Sequence, residues 1–413
     1  MNDSHTQGSK LSKEFIFFLG MLTAMAPFCM DMYFPSLPSL TGELQASAPM
    51  VQLTITTTMV GMAVGQLFFG PLSDTFGRKK PLIWGMALCA ITSIICGMTS
   101  NISLLIVTRF FQGITASAGI VISKAIARDC VSGVTLTQVF ALLMMVNGFA
   151  PIVAPLIGGQ ILIFSTWHTV FFLLALICIA LTIRSITQKE TLPKDKHISG
   201  GFGKTKHAFK VLCSNSYFLG NCLLGWFSFG AFFAYITGSS FLFQDIYGLS
   251  AQTYSYIFGG LALVTVFVSF LAKKGANVVA TNTMLWISIA ISVVGSILFF
   301  IAMYFSAPLW LAILLLVITT PTVAPIGAAS FSLSMRVDPS MAGSASALLG
   351  FFSQASAGLM APFVGIAGSH NPMPMAFIMV FGYVAALVCY VLFIHPKHRG
   401  PEDLEDLKRQ AKA

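Results

Sequence analysis

Two charged side chains stand far from the cytoplasmic ends of runs that are otherwise almost wholly apolar: Asp31, in the run that begins at Phe15, and Arg109, in the run that begins at Ser103. An ionised carboxylate in hydrocarbon costs several kcal/mol, so Asp31 must face an aqueous cavity, pair with a cation or take up a proton. Burial favours its protonated form and a neighbouring cation favours its ionised form. A carboxyl held between those two pulls is suited to load and release a proton. Helix rise places Asp31 about 14 Å, and Arg109 about 9 Å, from the outer ends of their runs, so the two lie at similar depth. A plainer reading of Asp31 is a bond to helix backbone beside Pro27 and Pro35, whose missing amides leave carbonyls free. Arg109 has two readings as well: it ties carbonyls and helices together, or it acts electrostatically on Asp31. Enzymatic chemistry in the membrane needs paired carboxylates, clustered histidines or a nucleophile with its base, and one Asp with one Arg does not supply that set. The chain reads as no enzyme.

The elements that must position these residues follow from composition. Of the 413 residues, 56% are hydrophobic and 9% charged, with a mean hydropathy of +0.84. So few polar groups cannot cover a water-soluble chain of this length, which makes this an integral membrane protein. A spanning helix needs about 20 mostly apolar residues. Twelve such runs are predicted, at 15–38, 50–70, 81–99, 103–125, 138–162, 169–187, 216–243, 253–272, 281–304, 308–332, 342–368 and 375–395. The run at Phe15 is long enough to span and has no small-residue cleavage site, so it reads as a retained helix rather than a signal peptide. With the N-terminus inside, every Lys and Arg except Arg109 falls on the cytoplasmic side, and the outer loops hold none. The positive-inside rule then puts both termini in the cytoplasm. The net charge of +9 is therefore a topological signal, and nucleic acid is not an expected partner. The eight cysteines form no CxxC pair and read as small hydrophobes.

Residues 188–215 combine Pro, Gly and charge and read as a cytoplasmic linker. It would join a six-helix bundle at 1–187 to a second at 216–396, with a cytoplasmic tail at 397–413. Two six-helix halves with a substrate path between them are a common transporter plan. On the first run Ala24, Phe28, Asp31 and Phe34 share a face, which sets aromatic surface beside the carboxylate. Phe28 and Phe34, together with the in-span polar residues Gln112, Asn147, Tyr235 and Gln354, are the candidate substrate contacts; interhelical hydrogen bonds are the alternative use of the polar four.

The loop after the second run reads Gly70-Pro-Leu-Ser-Asp74-Thr-Phe-Gly77-Arg78-Lys79-Lys80. Gly70 is expected to permit close helix contact, Pro71 and Gly77 to force a turn, and Asp74 to pair with Arg78 or accept helix amides. This segment resembles the signature of the major facilitator superfamily. Leu105-Ile-Val-Thr-Arg109-Phe-Phe-Gln112-Gly113 is similar to that superfamily's helix-four motif, whose arginine is associated with proton coupling. The stretch Asn147 to Gly159, with Pro151, Pro155, Gly158 and Gly159, resembles the helix-five antiporter motif, although Ala150 and Ala154 stand where glycine is usual. Asp31-Met-Tyr-Phe-Pro35, Arg128-Asp129, Thr166-Trp167-His168, Lys189-Glu-Thr-Leu-Pro193 and Met341-Ala-Gly343 resemble the bicyclomycin-resistance (Bcr/CflA) branch of the drug:proton antiporters.

The resemblance implies an all-α membrane protein of two six-helix bundles in the bacterial inner membrane. It implies export of small hydrophobic compounds in exchange for protons by alternating access, with Asp31 and Arg109 in proton coupling and no cofactor beyond the proton gradient. It also implies that Asp74, Arg78 and Asp129, with Gly70 and Gly77, form a cytoplasmic latch between the halves. The expected partners are a drug-like small molecule, protons and lipid, with the protein acting as a monomer. The same fold dedicated to one metabolite, such as a nucleoside or an amino acid, is the rival reading.

Overall fold

The computed structural model describes residues 12–131, 133–193, 209–275, 279–335 and 342–395, and among them there is no strand. Twelve membrane helices follow in order: α1 Lys13–Glu43, α2 Ala48–Phe76, α3 Lys79–Met98, α4 Ile102–Cys130, α5 Gly133–Phe164, α6 Trp167–Thr187, α7 Ser216–Ile246, α8 Ala251–Gly275, α9 Thr281–Tyr304, α10 Leu309–Ser334, α11 Ala342–Val364 and α12 Met373–Ile394. Helices dominate because lipid offers no partner to a backbone N–H or C=O, so each span must satisfy its own. Side chains complete the ends. Ser12 Oγ accepts from the Phe15 amide, and Asn101 and Asn215 each accept two amides of the helix that follows. The predicted tail at 397–413 and most of the predicted linker lie outside the described residues.

Several boundaries differ from expectation by four to six residues, two of them beside a turn-making glycine. Residues 71–76 continue α2, with Pro71 inside the helix, so Gly77 alone makes the turn, at φ 84°. The α11 helix stops at Val364, short of residue 368, where Gly368 turns the chain at φ 88°.

Small residues set the packing of the first half, as expected where lipid gives helices no hydrophobic reason to associate. A Cβ on Gly61 of α2 would strike the Phe110 carbonyl, and one on Gly113 of α4 would strike the Thr58 carbonyl. Gly70 is looser than expected: its nearest neighbour is a Val121 methyl at 3.9 Å, ordinary contact for a side chain.

The two halves meet at their outer ends and separate toward the cytoplasm. Along α11, a Cβ on Gly365 would lie 2.8 Å from Gln52 and one on Gly358 3.3 Å from Val60, both on α2, whereas one on Gly350 would meet nothing. Along α5, Gly159 abuts Ser255 and Ala251 of α8, and Gly148 faces open space. Two hydrogen bonds between the halves are near the outer surface, Gln244 Nε2 to the Pro35 carbonyl (3.1 Å) and Gln160 Nε2 to Tyr256 Oη (3.0 Å). Contacts between the halves thus concentrate at their outer ends, the arrangement of a cytoplasm-open state.

Candidate functional site

The regular part of α1 ends at Asp31, and a tighter turn at Phe34–Ser36 intervenes before helix resumes at Leu37. Broken spans of this kind occur where a helix borders protein or a cavity rather than lipid. The carbonyls of the last turn lack helical partners and carry the negative end of the helix dipole. Arg109 answers them. Its Nη1 donates to the Cys29 carbonyl at 2.7 Å and to Gln112 Oε1 at 2.6 Å, and Gln112 Nε2 donates in turn to Ser93 Oγ at 2.8 Å. The guanidinium lies 4.8 Å from the centre of the Tyr33 ring and 5.6 Å from that of Phe171, a cation–π setting. Arg109 is fully buried and forms no ion pair among the described residues, and its Nε and Nη2 have no hydrogen-bond partner there.

Asp31 is on the other side of the same helix. Two residues at about 100° each put Cys29 and Tyr33 roughly opposite it. Its side chain is buried, with 9% of its surface exposed, and makes no hydrogen bond or ion pair with a described residue. A direct ion pair of Asp31 with Arg109, one of the readings open to it, is therefore absent among the described residues, and so is a bond from Asp31 to free backbone, while Arg109 takes its carbonyl-binding reading. Gln112 also leaves the set of vestibule candidates, because both ends of its amide serve the Arg109 network.

The remaining aromatic candidates converge. Phe34 of α1 lies 6.1 Å, centre to centre, from Phe258 of α8, and Tyr235 of α7 stacks on that same ring at 6.1 Å. Tyr254 joins at 5.7 Å and Phe232 reaches Tyr235 at 6.0 Å. These rings join α1 of the first half to α7 and α8 of the second. Phe28 is half-buried on the Asp31 face, and Gln354 is half-buried on α11. The side chain of Asn147 lies outside the described residues. Phe258 and Tyr254 were not legible as site residues, since nothing in their local sequence separates them from the other aromatics of the chain.

At the cytoplasmic surface, Arg78 gathers the expected cluster. Its Nε donates to Asp129 Oδ2 at 2.8 Å, and its Nη1 to Ser73 Oγ at 2.9 Å and to Asp74. All of these belong to the first half. Asp74, Arg78 and Asp129 thus join α2, α3 and α4 and, among the described residues, touch nothing in the second half, so the expected latch between halves is not engaged in this state. Glu190, at the start of the linker, was read only as part of a motif, yet it seals the turn. Its Oε1 accepts the amides of Arg78 (2.8 Å), Thr191 (3.0 Å) and Leu192 (3.1 Å), and its Oε2 that of Lys79 (3.0 Å). A Cβ on Gly77 would meet this carboxylate at 2.5 Å.

Partial burial alone would raise the Glu190 pKa, but the four amides outweigh it and hold the carboxyl below the ordinary value of 4.5. A depressed value means that the carboxylate stabilises the fold fully above the ordinary value and loses that effect as pH falls through the folded one. Glu190→Gln is therefore expected to melt below the natural protein at pH 7, with the gap closing as pH falls below about 4.5. A pH series of thermal unfolding in detergent checks this, and a gap that stays constant contradicts it.

The helix-five motif has two distinct duties. Pro151 and Pro155 lie inside α5. Gly158 packs on the Met32 carbonyl, just past Asp31, while Gly159 packs across the interface on Ser255 and Ala251. Ala150 and Ala154, where glycine was expected, are buried without disturbing either contact.

Arg109→Ala is expected to strand the Cys29 carbonyl and empty a large buried volume, lowering stability by on the order of 3 kcal/mol. Arg109→Lys should retain part of the loss. Thermal unfolding of the purified variants measures both, and equal stability of the two would make the guanidinium's bonds irrelevant.

A twelve-helix bundle split into two halves, with a lone acid on a broken helix and an aromatic cluster joining the halves, is the architecture of a membrane transporter. The chain belongs to the Major Facilitator Superfamily, whose family model matches residues 19–362. It is 36% identical over 392 residues to the uncharacterized MFS-type transporter YdgK of Bacillus subtilis (strain 168), covering 94% of this chain and 96% of that one. It is 31% identical to a bicyclomycin resistance protein homolog of Haemophilus influenzae, over 91% of this chain and 95% of the relative. Among solved structures, that of a D-xylose-proton symporter superposes with a TM-score of 0.75 at 14% identity, covering 93% of this chain and 98% of the symporter. That likeness speaks for the fold alone. The protein is a multi-pass membrane transporter and not an enzyme.

Proposed function

We propose that this transporter exports small, largely hydrophobic compounds from the cytoplasm in exchange for protons, with Asp31 as the proton carrier. The observation that carries this reading is the burial of Asp31 on α1 with no hydrogen bond or ion pair to a described residue. The cluster of Phe34, Phe258, Tyr254 and Tyr235 supplies flat apolar surface suited to aromatic or lipophilic cargo. The drug-resistance name of one relative points the same way. In the cytoplasm-open state Asp31 gives its proton to the cell interior and the vestibule receives cargo; after reorientation the cargo leaves outside and Asp31 reloads. Asp74, Arg78 and Asp129 act in that reorientation rather than in binding.

Inverted membrane vesicles test this with a panel of chemically unrelated drugs, with and without an imposed pH gradient. Uptake of several of them, only when the vesicle interior is acid, is expected. Movement of a single metabolite would favour the dedicated carrier, and gradient-independent uptake would remove the antiport.

A further inference from the structure

Away from the vestibule, the cytoplasmic ends of α1 and α6 leave a groove of about 690 Å³ between them. Its floor is apolar, and its outer lip includes Phe17, 70% exposed, and Leu176, 62% exposed. Such exposure on two spanning helices places the groove against the lipid. Its length follows from helix rise: Lys13 to Met21 on α1 and Arg184 to Leu176 on α6 each cover about 12 Å, most of the roughly 15 Å of one leaflet's hydrocarbon.

Both cations stand at the mouth of the groove, on the cytoplasmic side. Arg184 is held in place rather than free. Its guanidinium lies 5.2 Å from the centre of the Phe18 ring, and Nη1 donates to Thr187 Oγ1 at 3.1 Å and Gln188 Oε1 at 3.3 Å. That leaves its other N–H groups available at headgroup level. Lys13 opens α1 at the same mouth and forms no ion pair with a described residue. Glu14 also reaches the mouth, but it sits in the first turn of α1, where the helix dipole favours an acid, and the mouth keeps a net positive charge.

We propose that this groove is a binding site for one anionic phospholipid of the cytoplasmic leaflet. Its phosphate sits between Lys13 and Arg184, and an acyl chain lies along Met21, Ala180 and Leu176. Basic pockets between spanning helices on the cytoplasmic side suit such headgroups, and a lipid here bridges the helix that carries Asp31 to the helix that leads into the linker. The site is independent of what the vestibule transports.

The test is native mass spectrometry of the full-length protein released from bilayers of equal phosphatidylglycerol and phosphatidylcholine. The natural protein is expected to retain the anionic lipid about thirtyfold over the zwitterionic one, the worth of two headgroup-level cations. The double variant Lys13→Gln/Arg184→Gln should fall to near parity. Ala180→Trp fills the groove without touching charge and should lower retention of the anionic lipid while leaving other bound lipid unchanged. Equal retention of both lipids by the natural protein overturns the site, as does full preference in the double variant or undiminished retention in Ala180→Trp.

Discussion

Asp31→Asn is expected to reach the membrane in normal amounts, bind cargo and fail to move it uphill. The substitution keeps the shape of the side chain and removes only its charge. Since Asp31 has no hydrogen bond or ion pair with a described residue, no structural bond is lost with it. One proton crossing 100 mV supplies about 2.3 kcal/mol, a concentration ratio of roughly fiftyfold. That ratio should collapse toward one in the variant, while exchange of cargo down its own gradient persists. Inverted vesicles with an imposed interior-positive potential of about 100 mV give the number directly. Accumulation equal to that of the natural protein would take the proton away from Asp31, and loss of downhill exchange as well would point to a damaged fold.

The division of labour on α1 explains why the two intramembrane charges have separate fates. Arg109 is consumed in holding the break of the helix: it satisfies a last-turn carbonyl, fixes Gln112 against Ser93 and is walled by Tyr33 and Phe171. Its charge is neutralised by dipoles and rings rather than by a carboxylate. Asp31, turned away from the cation, has no ion pair among the described residues. Arg109 thus holds the backbone that carries Asp31.

Much of this was legible in the residues. Run lengths gave the twelve helices, with α9 beginning and ending where its apolar run does, because lipid leaves the backbone no alternative to helix. The acid itself was legible because a charge in hydrocarbon is expensive enough to stand out in a single sequence. Which way a side chain points was less so. Similar depth suggested that Asp31 and Arg109 pair, but two residues of helical rotation separate Asp31 from the carbonyl that Arg109 binds. Pro71 looked like a turn, yet a span can tolerate proline where neighbouring helices support it, and Gly77 with the Glu190 clamp made the turn instead. The Glu190 clamp joins residues more than a hundred positions apart, and Phe258 became a site residue only through the docking of α8 on α1. No local pattern carries contacts of that range.

Gly159→Val should convert the outer seam from a closed contact into a wedge. A Cβ there would overlap Ser255 and approach the Ala251 carbonyl, so the cytoplasm-open state is overpacked while the opposite state, in which α5 and α8 part at this level, is not. Overpacking of this kind costs about 1–3 kcal/mol, which shifts a two-state equilibrium by about 5- to 150-fold. A reporter cysteine at Gly350, where the cleft is open, reads the shift in a background with Cys130 and Cys213, the half-exposed and exposed natural thiols, changed to serine. Its labelling by a membrane-impermeant maleimide from the cytoplasmic side should fall in the presence of Gly159→Val, by about threefold for a fivefold shift from equal populations and by more for a larger shift, with thermal stability little changed. Gly158→Val makes the control, because its contact with the Met32 carbonyl lies within one half and exists in either state; it should lower stability without redirecting access. Equal labelling with and without Gly159→Val would mean that the seam between α5 and α8 does not set which side of the vestibule is open.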